Sequence, residues 1–221
     1  MLNKLKTAPA TEPLTLAEVR AWLGITQGSD NARDAMITAN IVAARNWAEI
    51  YTRKAFITQT WLHYRDSFVN YTSQGGLDLF KFYDSQKLSG PVAGYPQEKI
   101  YLLGPLQSVT SVKYYDANGT LQTVDPSIYF VDTANDTIVL NPNKSWPVTY
   151  ARDNSVIIEY ISGYTSVPED IKTAIKFLVG HWENYQRSVE GSSITTVPYA
   201  VKQLLDNYRD MRGYFDAEVT R

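Results

Sequence analysis

A chain of 221 residues with 44% hydrophobic composition can bury a sizeable core, and it suits one domain or one domain carrying a large insert. Its 21 basic and 23 acidic side chains leave a net charge of −2, so no basic excess exists to release counterions from a phosphate backbone, and tight nucleic-acid binding is not expected. Cysteine is absent, which excludes disulfides and thiolate metal sites. Nothing at the N-terminus resembles a signal peptide, and no stretch approaches the roughly 20 apolar residues of a membrane span, so a soluble protein made in a cytoplasm is expected. The sequons at Asn70, Asn118, Asn135 and Asn143 then read as turn composition. Sixteen tyrosines and five tryptophans raise the aromatic share to 13%, which suits either interfaces or strands.

In chain order, Thr15-Leu-Ala-Glu18 has the spacing of a capping box, and Gly24 supplies an early stop, so the first helix is short. A second helix begins near Ser29 or Asp30 and runs to about Arg53. Its apolar positions Ile37, Ile41, Ala44, Ala48 and Tyr51 alternate spacings of four and three. From Ile57 to Arg65 the chain is β-branched and aromatic, a strand pattern. Residues 69–98 are the least regular and read as a hairpin-like excursion or long loop. Leu79, Phe80, Phe82 and Tyr83 within it are too apolar for a free linker. Strands are expected at 99–103, 108–115, 121–124, 128–132, 137–140 and 155–161. Tight turns fall at Asp116-Ala-Asn-Gly119 and Thr133-Ala-Asn-Asp136. In the last strand Val156, Ile158 and Tyr160 share one face, and Ile157, Glu159 and Ile161 the other.

Helical signals return at Ser166-Val-Pro-Glu169, a second capping-box spacing with proline in the first turn. Ile171, Ile175, Leu178, Trp182, Tyr185 and Val189 repeat the four-three alternation, so this helix is expected to pair with the one at about 30–53. A linker follows, then a helix with Val201, Leu204, Leu205 and Tyr208 on one side. The fold class expected is α+β: a bundle of three to four helices from both chain ends, with an inserted antiparallel sheet or small β-barrel. The expected boundaries are 1–55 for the first helices, 56–164 for the β-rich insert, 165–210 for the last helices and 211–221 for a flexible tail.

Few residues offer chemistry. His63 lies inside a strand, and His181 and Glu183 point about 200° apart around a helix, so a metal or catalytic role is unsupported. No dinucleotide fingerprint, Walker loop or nucleophile elbow occurs. Glu49, Asp66, Asp84, Glu159, Asp170 and Glu183 leave a two-carboxylate hydrolase as one alternative, with Glu159 the sharpest candidate. A tyrosine-rich carbohydrate- or surface-binding module is the other. Neither catalytic residues, nor a cofactor, nor a metal site is assigned. Basic residues from Lys172 to Arg212 are interleaved with acids, the pattern of solvated helix faces.

Several blocks, in order, resemble the head–tail connector (adaptor or head-completion) proteins of long-tailed bacteriophages and gene transfer agents. They are Leu14–Leu23, Ala43–Thr52, Ile57–Trp61, Pro105–Asp116, Tyr160–Tyr164, Val167–Ile175, Gly180–Arg187 and Pro198–Arg209. The insert at 69–98 departs from the pattern. The resemblance implies a non-enzymatic virion protein of the neck, assembled in the host cytoplasm. It would form a homo-oligomeric, dodecameric ring below the portal protein, extend the DNA channel, and dock a stopper or tail-terminator protein. DNA would pass without specific contact, and no membrane is involved. Candidate subunit or partner contacts are Lys172, Lys176 and Glu183 on the outer face of the long helix, then Tyr208, Arg212, Tyr214 and Phe215. Leu79, Phe80, Phe82 and Tyr83 complete the set.

Overall fold

The computed structural model describes residues 2–25, 31–68, 99–187 and 197–211, the side chains of 185–187 excepted. It is a mixed α+β protein with antiparallel strand pairs. The chain divides into two compact units. One comprises Met1–Leu5, Trp61–Leu102 and Ser108–Tyr160; the other comprises Lys6–Thr60, Leu103–Gln107 and Ile161–Arg221.

The second unit carries the helices. α1 (Leu16–Trp22) is opened by a complete capping box: the Glu18 amide donates to Thr15 Oγ1 at 3.2 Å, and the Thr15 amide donates to Glu18 Oε2 at 2.7 Å. It stops where Gly24 takes φ +69, a left-handed conformation that costs glycine little. α2 (Asn31–Thr52) buries Ile37, Ile41, Ala44 and Ala48, the stripe its periodicity predicts. α3 (Glu169–Arg187) buries Ile171, Ala174, Ile175, Leu178 and Val179. α4 (Tyr199–Asp206) adds Val201 and Leu205. These side chains form one core with Leu14, Val19 and Phe56. Burying an aliphatic side chain stabilises by about 1.5–3 kcal/mol, several times any difference in helix propensity, so the stripes and not the intrinsic preferences hold the helices.

The start of α3 differs from the expected capping box. Pro168 stands before the helix, not inside its first turn, and its carbonyl accepts from the Lys172 amide at 3.2 Å. Glu169 does not turn back to the chain; its carboxylate takes the Lys172 ammonium at 2.7 Å.

Among the described residues eight strands make two open sheets: β1 (Leu2–Thr7), β2 (Gln59–Arg65), β3 (Lys99–Tyr101), β4 (Leu106–Tyr115), β5 (Leu121–Thr123), β6 (Tyr129–Asp132), β7 (Thr137–Leu140) and β8 (Val156–Ser162). One has the order β1-β2-β8-β4-β5 and the other β3-β7-β6, and neither closes into a barrel. β8 buries Val156, Ile158 and Tyr160 and leaves Ile157, Glu159 and Ile161 half-buried, as the alternation predicts. β1 carries no sequence signal, because every one of its six residues is exposed.

The turns carry their own chemistry. Asp116 Oδ1 accepts from the amides of Asn118 and Thr120, and Gly119 takes φ +76, the one residue of that turn with positive φ. Asp132 likewise accepts from the amides of Ala134 and Asn135, with Asp136 at φ 55. Asn143 takes φ 61, so the sequons at Asn118, Asn135 and Asn143 do fall in turns. The sequon at Asn70, the insert at 69–98 and the tail from Arg212 lie outside the described residues. Among the described residues no helix is long and apolar enough to cross a membrane.

Among the described glycines Gly163 is the most constrained. It sits at φ +134, donates to the Pro105 carbonyl at 2.8 Å, and leaves no room for a β-carbon, which would meet the Ile57 carbonyl and lie 2.6 Å from the Thr58 nitrogen. The Gly163→Ala variant should lose about 3 kcal/mol or more, combining backbone strain with a backbone clash. Chemical denaturation of the two chains measures it, and an unchanged midpoint would contradict the packing described.

Candidate assembly surfaces

Lys172 and Lys176 lie half-buried on α3. Lys172 is paired with Glu169, and both lysines help hold the Glu18 carboxyl below its ordinary range, after the larger effects of the Thr15 amide and hydroxyl. This face is therefore charge-balanced within the chain.

Glu183 is not on that outer face. Its side chain is 2% exposed and accepts from Arg33 Nε on α2 at 2.8 Å. The physical reason is that a carboxylate buried between helices needs a cation, and α2 supplies one at its start. Tyr208 is also engaged within the chain. Its hydroxyl donates to Asp170 at 3.1 Å, its ring meets Tyr164 edge-on, and burial followed by the Asp170 carboxylate raises its pKa. The candidates Arg212, Tyr214, Phe215, Leu79, Phe80, Phe82 and Tyr83 fall outside the described residues.

A surface that the sequence does not single out lies where α1 meets α3. Gly180 has no β-carbon, and one placed there would approach the Trp22 ring to 2.6 Å. The indole therefore lies against α3 and packs on Phe177 with ring centroids 5.8 Å apart. Trp22, Leu23, Phe177, Gly180, His181, Asn184, Pro198 and Ala200 line a shallow cleft of about 500 Å³. Trp22 is 43% exposed, Phe177 36% and the adjoining Tyr199 74%. Large, part-exposed aromatics of this kind are the residues that anchor protein interfaces. A mid-helix glycine and a tryptophan ending a short helix are the signals the sequence offers, but only the fold brings them together.

In the other unit, the outer face of the three-stranded sheet exposes Phe130 and Tyr101, on either side of Val139 and Thr137 in register. Several other aromatics of this unit are occupied. Trp146 stacks on Phe68 at 4.6 Å and faces Tyr129 at 6.2 Å, while Arg152 covers the Tyr115 ring at 3.6 Å. A glycan platform needs free ring faces, and these rings do not offer them. His63 is buried in β2, with Nδ1 2.6 Å from Asn3 Oδ1 on β1. Burial, then the charge of Arg65, lowers its pKa to about 4, so the ring is neutral and Nδ1–H donates to Asn3.

Of the carboxylates considered for hydrolysis, Glu49, Asp66 and Asp170 are bonded within the chain, Glu183 is paired with Arg33, Glu159 is half-buried on β8, and Asp84 lies outside the described residues. Glu49 accepts from the Phe56 amide, Gln59 and Arg45, and burial still raises its pKa. Asp66 accepts from the Asn154 amide, and Asp170 from Tyr208. Among the described residues no group of three or more His, Asp or Glu side chains is placed to hold a metal ion.

The head completion protein family matches residues 12–211, and the chain belongs to that family. No curated protein matches by sequence. Among solved structures the chain is similar to one from the neck of an empty gene transfer agent particle computed with C6 symmetry. That match has a TM-score of 0.65 and 20% identity, covering 95% of each chain. It is similar also to a chain of the native gene transfer agent virion (0.66, 18%) and to one from a native neck computed with C12 symmetry (0.60, 19%), again over 95% of each chain. The family match, together with this shared fold, supports a structural head–tail connector role.

Replacing Glu183 with alanine should cost towards the lower end of about 3–5 kcal/mol, because it strands Arg33 in a partly exposed site. Urea titration of Glu183→Ala against a variant with both residues made apolar tests this; the double variant should recover part of the loss. His63 generates a pH dependence. Its folded pKa lies below the ordinary 6.5, so its contribution is complete above pH 6.5 and is lost as pH falls towards 4. That amounts to about 3 kcal/mol. The His63→Gln chain should show a correspondingly flatter fall in denaturation midpoint between pH 7.5 and 4, and parallel curves for the two proteins would contradict it.

Proposed function

We propose that the protein is a head–tail connector that forms a homo-oligomeric ring below the portal protein, extends the DNA channel, and presents the docking surface for a stopper or tail component. The observation that carries the reading is the family match over residues 12–211, supported by a fold shared over 95% of the chain with proteins of C6- and C12-symmetric necks. In this reading the helices from both chain ends form the layer that meets neighbouring copies, and the β-rich segment 56–164 is set into it. Twelve copies would match the C12 neck. Assembly takes place in the host cytoplasm and the product resides in the virion neck.

A cyclic ring requires two unlike surfaces on each subunit that fit one another. The outer face of α3 with Lys172 and Lys176, and the aromatic cleft beside it, are proposed as one of them. Glu183 is not part of it, since it serves the interior. The engagement of Trp146 by Phe68 and of Tyr115 by Arg152 removes two rings of the β-rich unit from a glycan-binding role, and leaves Tyr101 and Phe130 as its exposed pair.

The net charge of −2 bears on the channel. A bore lined with lysine and arginine would hold DNA through counterion release, whereas a neutral or acidic bore lets it slide. Co-expression with the portal protein, followed by electron microscopy, should show a ring beneath the portal whose lumen is neutral or acidic. Portal assemblies lacking the extra ring would remove the proposal, and a lumen lined mainly by lysine and arginine would remove its account of DNA passage.

A further inference from the structure

We infer that the cleft between Trp22 and Phe177 is the receptor for the C-terminal tail of a neighbouring copy, with Tyr214 and Phe215 as the inserted side chains. The inference rests on the ring reading and names the contact that would link its subunits.

The cleft is about 500 Å³ in volume, walled by aromatic and aliphatic side chains together with His181 and Asn184, and lined by no carboxylate. Of the charges adjoining its lining in sequence, Lys202 follows Ala200 by two residues on α4, Lys176 precedes Phe177 and also acts on the Glu18 carboxylate, and Glu183 is buried against Arg33, so the exposed charge beside the cleft is basic on the α4 side. The chain beyond Met211 reads Arg-Gly-Tyr-Phe-Asp-Ala-Glu-Val-Thr-Arg, an aromatic pair followed at once by Asp216 and Glu218. Aromatic anchors with flanking acids complement an aromatic cleft with basic flanks. Gly213 stands immediately before the pair, and a glycine there widens the choice of backbone directions from which the two rings can enter.

The tail is better placed to reach a neighbour than its own cleft. Pro198 and Ala200 line the cleft at the start of α4, whereas the Asp210 amide is tied to the Thr52 carbonyl at 2.8 Å beyond the end of that helix. Eight residues of helix span about 12 Å. Four or five extended residues from Asp210 to the aromatic pair would span about 14–17 Å, so most of that length would be spent retracing α4. A neighbouring copy in a head-to-tail ring imposes no such return. Tail into cleft is also heterologous, the kind of contact that closes a ring.

The absence of cysteine makes a direct test possible. Ala200→Cys and Ala217→Cys, combined in one chain and co-expressed with the portal protein, place one thiol at the cleft and one beside the aromatic pair. After mild oxidation, non-reducing electrophoresis should show a ladder of linked copies, while each single variant forms none. Trp22→Ala in the double-cysteine chain should reduce the ladder at least tenfold, as should Tyr214→Ala with Phe215→Ala. A ring visible by electron microscopy without a ladder overturns this inference and leaves the ring reading standing. A monomer closed by an internal disulfide also overturns it, because the tail would then fill its own cleft. If no ring forms, both fall.

Discussion

The buried guanidinium of Arg45 is the interaction on which the helical unit depends. It lies inside α2, almost without exposure, and is bonded to Glu12 through Nε at 2.7 Å and Nη2 at 3.2 Å, and to Glu49 through Nη1 at 2.7 Å. Burial disfavours its charge, but the two carboxylates outweigh that and hold the pKa above the ordinary arginine value. Glu49 then passes the connection on, accepting from the Phe56 amide and from Gln59, both at 2.7 Å. One network therefore fixes the segment before α1, the middle of α2 and the chain leading into β2. Buried ions are retained only where every partner is supplied, and a gap anywhere in this set would leave a charge stranded in the core.

That network also explains where the carboxylates have gone. Glu12, Glu49, Asp170 and Glu183 each hold a named part of the helical unit through Arg45, the Phe56 amide, Tyr208 or Arg33. Asp116, Asp125 and Asp132 close turns by accepting from backbone amides, and hydrogen bonds lower the pKa of each. These acids thus serve the geometry of the scaffold.

Legibility from the sequence follows the range of the interactions. The stripes of α2 and α3, the alternation in β8 and the turns at 116–119 and 133–136 depend on neighbours a few residues away, and each is readable as a pattern. Glu183 defeats that kind of reading because its partner Arg33 lies 150 positions earlier; periodicity alone gives no reason to bury a carboxylate. β1 is hidden for a related reason. All its residues are exposed, so no apolar alternation marks it, and it is held by strand pairing and by the contact of Asn3 with His63. Trp22 against Gly180 is the same case, a local signal of weak meaning made specific only by tertiary approach. The surfaces of an assembly protein are the least legible of all, because an exposed aromatic satisfies no rule of the isolated fold.

A connector subunit has to be stable alone and yet competent to assemble. Among the described residues the cores close within the chain, through the stripes of the helices and the inner faces of the sheets. The exposed aromatics that cluster among the described residues are few: Trp22, Phe177 and Tyr199 around one cleft, and Tyr101 and Phe130 on one sheet face. A stable interface buries about 800 Å² on each partner, far more than two or three side chains supply by themselves. A platform that already holds the copies side by side changes the arithmetic, because each further contact then forms at high effective concentration. In the ring reading proposed above, weak and unlike patches of this kind would favour assembly on a preformed ring over polymerisation in solution.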